Sequence, residues 1–219
     1  MAGTPTVITG SSRGFYAELA GGLVLLFLSA FIGIRYVHRP QENSLDRFAF
    51  RVLSPHEAHH SLGLRILLAT GGWRPDIAIV LLTMLVSLRR DWRRSIGIGV
   101  GAILAVLITE RLAKPLVGGD VAGFGGHSYP SGTITAVTAY AVAIVLILHR
   151  RARLIACAIA VILVSAVGAA VIIARWHFAT DVVGGICVGA GAIATFDALA
   201  HLFIHRPRRQ FAMLHEEAE

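Results

Sequence analysis

The sequence predicts an all-α protein, a polytopic membrane bundle of about six transmembrane helices. Of its 219 residues, 55% are hydrophobic and only 15% are charged, and the mean hydropathy is +0.69. A soluble domain of this length cannot bury that much apolar surface. The apolar residues also form runs of roughly 20 residues, the length of a membrane-spanning helix, and short basic clusters separate several of these runs.

The predicted spans form a single membrane domain, residues 17–205, between an N-terminal tail (1–16) and a C-terminal tail (206–219). The first span includes residues 19–34. Residues 39–74 mix arginines with apolar residues and are too charged to cross a membrane, so they predict a loop with an interfacial amphipathic helix. The remaining spans are predicted at 75–88, with an upstream extension left open, and at 95–113, 133–148, 154–174 and 181–204.

The basic residues suggest an orientation in a cell membrane. Alternating spans put the short basic loops 89–94, 149–153 and 205–209 on one side, and the positive-inside rule makes that side cytoplasmic, together with both termini. Loops 114–132 and 175–180 then face the extracytoplasmic side. The net charge of +7 is spread over short loops, which argues against nucleic-acid binding. Membrane lipids are the expected surroundings, and the oligomeric state is left open.

Neither a metal nor another cofactor is predicted. Cys157 and Cys187 lie in apolar runs without metal-ligand spacing. The polar loop after the first span contains three histidines, which are usually solvated in such a setting, with metal binding as the alternative. These histidines are His56, His59 and His60.

Other patterns are interpreted as packing features. Asp197 and His201, four residues apart near the predicted cytoplasmic end of the sixth span, indicate a local hydrogen-bonded pair, although ionisable groups within a span are functional candidates by default. Pairs of small residues four apart predict close helix packing of the third and sixth spans. These pairs are Gly97/Gly101 and Gly185/Gly189.

Two polar residues at the start of the sixth span are candidates for catalysis. His177 and Asp181 are four residues apart, so a first helical turn places them on one face. A carboxylate that accepts from one imidazole nitrogen fixes the tautomer and makes the other nitrogen more nucleophilic. The alternative is an Asp that only stabilises the helix start, beside a boundary His.

Two further groups on the same predicted side are candidates for binding an anion. Ser131, Gly132 and Thr133 open the fourth span, where free backbone N–H groups form an anion site, or where Ser and Thr simply cap the helix. Lys114 is the single lysine among the 20 basic residues. Its ammonium group suits a phosphate, but pairing with Glu110 at i, i+4 is the alternative.

Together these residues resemble the type-2 phosphatidic acid phosphatase superfamily, membrane enzymes that act on lipid phosphates and diphosphates without a metal. Its three motifs are a Lys followed by Arg-Pro, then Pro-Ser-Gly-His, then Ser-Arg followed by a His and an Asp. The resemblance extends over roughly residues 60–204. It is most specific at Tyr129–Gly132 and His177–Gly185.

The resemblance implies a role for each matching residue. Lys114 would hold the phosphate together with Ser131, Gly132 and the neighbouring Thr133. His177 would be the nucleophile that becomes phosphohistidine, and Asp181 its orienting partner. The implied activity is therefore that of a metal-independent phosphatase.

Five positions depart from the family motifs. Val121 and Ala122 stand where the family has Arg-Pro, and Ala170 and Val171 stand where it has Ser-Arg. Thr133 replaces the His that protonates the leaving oxygen. Two phosphate-clamping arginines and one acid are therefore missing.

Three other residues are candidate substitutes for the missing groups. His127 lies in a Gly-rich loop and is a candidate acid, while Arg111 and Arg175 are candidate phosphate clamps. The alternatives are a solvated loop histidine and interfacial arginines that extend towards water.

The missing acid bears on the substrate. Positioned proton donation is worth about 10²–10⁴-fold, and a leaving group that departs as a stable anion does not need it. We therefore expect a lipid diphosphate, such as a polyprenyl diphosphate, as the substrate. A catalytically weak or inactive relative that binds or carries a phospholipid, and a membrane scaffold protein, are the alternatives.

Overall fold

The computed structural model describes residues 12–36, 43–53, 61–89, 91–117 and 128–204. In these ranges all secondary structure is helical, which confirms the predicted fold class. A π-helical turn, Ile108–Ala113, lies between the fifth and sixth α-helices. The α-helices are α1 (Ser12–Tyr36), α2 (Ser44–Leu53), α3 (Leu62–Thr70), α4 (Trp73–Leu88), α5 (Trp92–Leu107), α6 (Lys114–Val117), α7 (Gly132–Ile147), α8 (Arg150–Ile173) and α9 (Ala179–Ile204).

Several predicted features lie outside the described residues. These are the N-terminal tail before Ser12, the C-terminal tail, His127 and the three histidines at positions 56, 59 and 60. Residues 12–16, predicted as part of the tail, belong to α1. The first residues of α8, predicted as a basic loop, are already helical.

The described helices agree approximately with six spans. Four segments are long and apolar enough to cross a membrane, namely α1, the continuous segment from α5 to α6, α8 and α9. The pair α3 and α4, bent by 51°, is a fifth candidate, and α7 is a shorter apolar helix of 16 residues. The segment predicted as a loop upstream of the second span therefore contains a helix, α3, which is capped by Ser61.

The outward faces of the helices are apolar. On α8, exposed fractions range from 59% at Ile159 through 65% at Ile155 and 67% at Ile162 to 73% at Leu154. Exposed apolar surface of this extent is unfavourable in water and favourable in hydrocarbon. These faces, with the long apolar helices, identify a membrane protein.

The bundle is arranged around α9, which packs against α1, α5 and α7. A cluster of buried side chains lies between α7 and α8 and includes Ile134, Val137, Val167 and Val171. The α5–α6 segment ends where α7 and α9 begin. We call this end of the bundle, with Lys114, Gly132 and Ala179, the motif end, and the opposite end the far end.

Glycines allow α9 to approach its neighbours closely. A Cβ atom on Gly185 would lie 2.7 Å from Ser131 O of α7's N-cap, and one on Gly189 would overlap the α7 backbone. Cβ atoms on Gly97 and Gly101 of α5 would lie 2.7 Å and 3.0 Å from Cα atoms of α9. The predicted close packing of the third and sixth spans is therefore confirmed.

A buried ion pair holds the far end together. The Arg94 side chain of α5 donates through Nε to both carboxylate oxygens of Asp197 at 3.2 Å, and through Nη1 to Leu146 O of α7 at 2.8 Å. His201 Nδ1 lies 2.8 Å from the Asp197 backbone oxygen, and Nε2 lies 3.2 Å from Asp91. The predicted Asp197–His201 contact is present through the backbone, but the Asp197 carboxylate mainly pairs with Arg94.

Replacing Gly189 with Ala is expected to destabilise the protein by about 1–3 kcal/mol, because the new methyl group meets α7 backbone that no side-chain rotation can clear. The matched control is Gly21→Ala on α1, where a Cβ meets nothing within 4 Å. Alanine there is expected to be neutral or slightly stabilising. Thermal unfolding of both variants in detergent measures the difference, and equal midpoints would contradict the close α7–α9 contact.

Candidate active site

The start of α9 holds His177 and Asp181 side by side. His177 Nδ1 lies 3.4 Å from Asp181 Oδ2, and the same oxygen accepts the Phe178 N–H at 2.9 Å. Nδ1 is buried and outside hydrogen-bond geometry, while 13% of the His177 side chain is exposed.

A tight turn at the end of α8 leads the chain to His177. Arg175 N–H donates to Ile172 O at 2.9 Å and Trp176 N–H donates to Val171 O at 3.0 Å, which is the Schellman pattern of a helix C-terminus. Arg175 takes the left-handed position of this pattern with φ of 56°. Glycine is the usual residue there, and other residues pay roughly 1–2 kcal/mol in steric strain.

The start of α7 is attached directly to the start of α9. The Ser131 N–H donates to Asp181 O at 3.0 Å, and Ser131 Oγ accepts the Ile134 N–H at 3.4 Å. Ser131 is therefore the helix cap and its amide is not free, in contrast to the predicted group of three amide donors. The N–H groups of Gly132 and Thr133 have no acceptor within the described part of the chain, so these two remain for an anion.

Lys114 lies beside Gly132 at the start of α7. Its Nζ atom is 2.7 Å and 2.9 Å from the carboxylate oxygens of Glu110. A Cβ atom on Gly132 would lie 2.5 Å from Glu110 Oε1 and 3.5 Å from Lys114 Nζ. Lys114 thus forms the expected i, i+4 pair and also lies at the N-terminus of α7. Arg111, on the π-helical turn before it, is exposed.

Tyr129 anchors the segment before α7 to α1 and α9. Its hydroxyl donates to Ser29 O at 2.6 Å, and a Cβ atom on Gly184 would lie 2.5 Å from its ring. Burial raises the pKa of Tyr129 to about 12. The phenol therefore stays protonated and serves as a structural donor.

The described positions that depart from the family motifs carry no ionisable side chain. Ala170 and Val171 are 1% and 0% exposed inside α8. The methyl group of Thr133 packs against Gly71 at the bend between α3 and α4. Val121, Ala122 and His127 lie outside the described residues.

Asp46 of α2 is a further residue at this site that no motif in the sequence indicates. This residue is 2% exposed, and its Oδ1 accepts from Thr180 N at 3.1 Å and from Thr180 Oγ1 at 3.2 Å. Burial raises the pKa of the Asp46 carboxyl, while hydrogen bonds from Thr180 and Asn43 oppose that rise. The three-residue spacing of Asn43 and Asp46 is a helix-start signal, but no sequence pattern connects Asp46 with α9.

The arrangement offers a histidine beside a buried carboxylate, an ammonium group and two amides that have no acceptor among the described residues. Such a set can bind an anion and attack it. No cluster of three or more His, Cys, Asp or Glu side chains that could hold a metal ion occurs among the described residues.

Fold and site together describe a helical membrane protein with a candidate anion site at one end of the bundle. The model of the PAP2 superfamily matches residues 68–204. This is more than half of the chain, and the chain belongs to that superfamily, whose members are phosphatases. Neither a curated protein nor a solved structure shows significant similarity to the chain. The matched range excludes α1 and α2.

The strain at Arg175 is tested by comparing Arg175→Gly with Arg175→Ala. Both variants lose the guanidinium group and its contact with the Phe50 ring at 5.5 Å, but only glycine relieves the left-handed backbone. We expect Arg175→Gly to be more stable than Arg175→Ala by about 1 kcal/mol. Chemical or thermal unfolding gives this difference, and equal stability would show that the turn is unstrained.

Proposed function

We propose that the protein is a metal-independent lipid phosphatase that acts through a phosphohistidine at His177. Membership of the PAP2 superfamily supports a phosphatase. The observation that carries the proposal is the His177–Asp181 pair, fixed through the Ser131–Asp181 backbone hydrogen bond to the helix start beside Lys114. A nucleophile and an anion-binding group are thereby built onto one rigid junction.

His177 attacks through Nε2, because its Nδ1 edge faces Asp181. A bond forms between Nε2 and phosphorus while the bond from phosphorus to the leaving oxygen breaks, and the bonding electrons leave with that oxygen. The imidazole becomes positively charged, and Asp181 stabilises this charge by accepting the Nδ1–H hydrogen bond. Water then attacks phosphorus, the P–N bond breaks, and its electrons return to Nε2. The product departs as dihydrogen phosphate, which carries the protons of the water and exchanges them with the solvent.

The negative charge on the phosphoryl oxygens needs donors fixed in advance. The amides of Gly132 and Thr133 supply two, and Lys114 supplies a cation whose charge Glu110 partly offsets. A further cation is therefore needed, and Arg175 is the better placed substitute because it lies two residues before His177.

The backbone strain at Arg175 supports the same role. A left-handed C-terminal position favours glycine, yet the chain has an arginine with an exposed side chain there. Residues with a strained backbone concentrate at functional sites, where the function of the side chain outweighs the cost of the strain. Arg111, exposed one turn before Lys114, is the second candidate clamp, and His127 remains the candidate acid.

A lipid diphosphate, of the polyprenyl type, is the substrate that the site fits best. The described site has no acid at the Thr133 position, and the methyl group of this residue faces Gly71. A lipid monophosphate leaves as a stable anion. An alkoxide leaving group would require proton donation, which accelerates the reaction by about 10²–10⁴-fold.

The basic residues at the far end support a cytoplasmic position for that end, because short cytoplasmic loops are enriched in Lys and Arg. The motif end would then open towards the outer leaflet of the cell membrane, where it meets the lipid head group. The arginines concerned are Arg89, Arg93, Arg94, Arg151 and Arg153.

The direct test is phosphate release by the purified protein in detergent with EDTA, from a polyprenyl diphosphate and from its monophosphate. We expect the diphosphate to react faster by about 10²-fold or more. His177→Ala is expected to lower the rate by about 10³-fold or more. The matched control is His201→Ala, which removes a histidine at the far end and should leave turnover unchanged.

Other outcomes would change the assignment in defined ways. Preference for the monophosphate would show that another group donates the proton, and loss of that activity in His127→Ala would identify it. A raised KM in Arg175→Ala or in Arg111→Ala identifies the clamp.

Phosphate binding without release from any lipid would contradict the phosphatase and favour a lipid-binding relative. Hydrolysis of an added soluble diphosphate by right-side-out vesicles would support the extracytoplasmic site.

A further inference from the structure

The N-terminus of α9 lacks a capping side chain of its own. Phe178 precedes the first helical residue and has no side-chain acceptor, so the first amides of α9 need partners from elsewhere. Asp181, three residues on, accepts the Phe178 N–H at 2.9 Å. This is one half of a capping box. The other half, a side chain that accepts the second or third helical N–H, is missing from the local sequence. The third, Asp181 N–H, donates to the backbone oxygen of Phe178 at 3.1 Å, which leaves the Thr180 N–H.

Asp46 supplies the missing acceptor from α2. Its Oδ1 accepts the Thr180 N–H at 3.1 Å and the Thr180 hydroxyl at 3.2 Å. Its Oδ2 accepts the Asn43 N–H at 3.2 Å, while Asp46 N–H donates to Asn43 Oδ1 at 2.9 Å. These last two bonds close the capping box of α2 itself. One buried carboxylate therefore caps two helices.

Aromatic contacts join α2 to the same turn. The Phe50 ring packs edge-on against Phe178 with a centroid separation of 5.7 Å, and the Arg175 guanidinium lies 5.5 Å from the Phe50 ring centre. The turn between α8 and α9 is thus held by α2 on both sides of His177. The segment that holds it lies outside residues 68–204, the range matched by the family model.

We propose that Asp46 is a positioning residue that keeps His177 and Asp181 in the geometry of attack by capping α9 from α2. This proposal rests on the phosphatase function proposed above. At 2% exposure and with both oxygens already accepting, Asp46 is not placed to contact a substrate. It acts through Thr180, the residue next to Asp181.

Removal of the cap should affect the chemical step more than binding. Without Asp46 the Thr180 N–H loses its acceptor, and the first turn of α9 frays around the Phe178–Asp181 bond. Lys114 and the amides that would hold the phosphate lie on α6 and α7, whereas α2 packs on α8 and α9. Arg175, the further candidate clamp, contacts Phe50 of α2, a contact that does not involve the Asp46 carboxylate. A misplacement of about 1 Å at a reacting group can cost about 10²-fold in rate. The loss is therefore expected in kcat, with KM little changed.

The test compares Asp46→Ala with Asp91→Ala, which removes the Asp cap of α5 at the far end. Both variants lose a helix cap, so both should melt at lower temperature. Only Asp46→Ala should lower kcat, by about 10- to 100-fold. Asp46→Asn should recover much of the loss, because its amide oxygen still accepts the Thr180 N–H. Asp46→Val removes the same acceptor and replaces Asp46→Ala if that variant does not fold. An unchanged kcat in folded Asp46→Ala or Asp46→Val would overturn the proposal.

Amide hydrogen exchange of residues 177–183 separates this proposal from the phosphatase itself. If the wild-type protein releases no phosphate, the phosphatase fails, and the cap is judged by exchange alone. Faster exchange of this segment in Asp46→Ala, and not in Asp91→Ala, supports the cap. Exchange equal to that of the wild type in both variants overturns it.

Discussion

The candidate site depends on the contact between the first turns of α7 and α9. The helices approach so closely at Gly185 that a Cβ atom there would lie 2.7 Å from Ser131 O. At this distance the Ser131 N–H can reach Asp181 O. The amides of Gly132 and Thr133 at the start of α7 and the histidine before α9 therefore belong to one rigid unit. Lys114 joins that unit because Gly132 leaves room for the Lys114–Glu110 pair.

The two ends of α9 use a buried aspartate in different ways. At the far end, Asp197 is fully buried and is paired with Arg94, which satisfies both of its oxygens. At the motif end, Asp181 accepts one backbone N–H and faces the His177 ring. A carboxylate neutralised by an arginine mainly holds helices together. One that faces an imidazole can orient the ring and stabilise its charge, as a phosphohistidine mechanism requires.

The local patterns of the sequence were sufficient for the fold class and for part of the site. Apolar runs of helical length predicted the bundle, and the spacing of His177 and Asp181 predicted their shared face. Asp46 could not be predicted, because its contact with Thr180 joins residues 134 positions apart. Nor could the sequence reveal that the Ser131 amide is occupied by Asp181 O, since that bond depends on how two distant helices pack. The bend between α3 and α4 was missed because the charged residues before it resembled a loop.

Trapping of the covalent intermediate tests the central proposal most directly. The protein is mixed with a lipid diphosphate that carries a labelled terminal phosphate, and the reaction is quenched in alkali, where phosphohistidine persists. We predict that the label is retained on the peptide containing His177 and is absent from the His177→Ala variant. Release of labelled phosphate with no label on this peptide at any time point, from a wild-type protein that turns over, would contradict catalysis through His177.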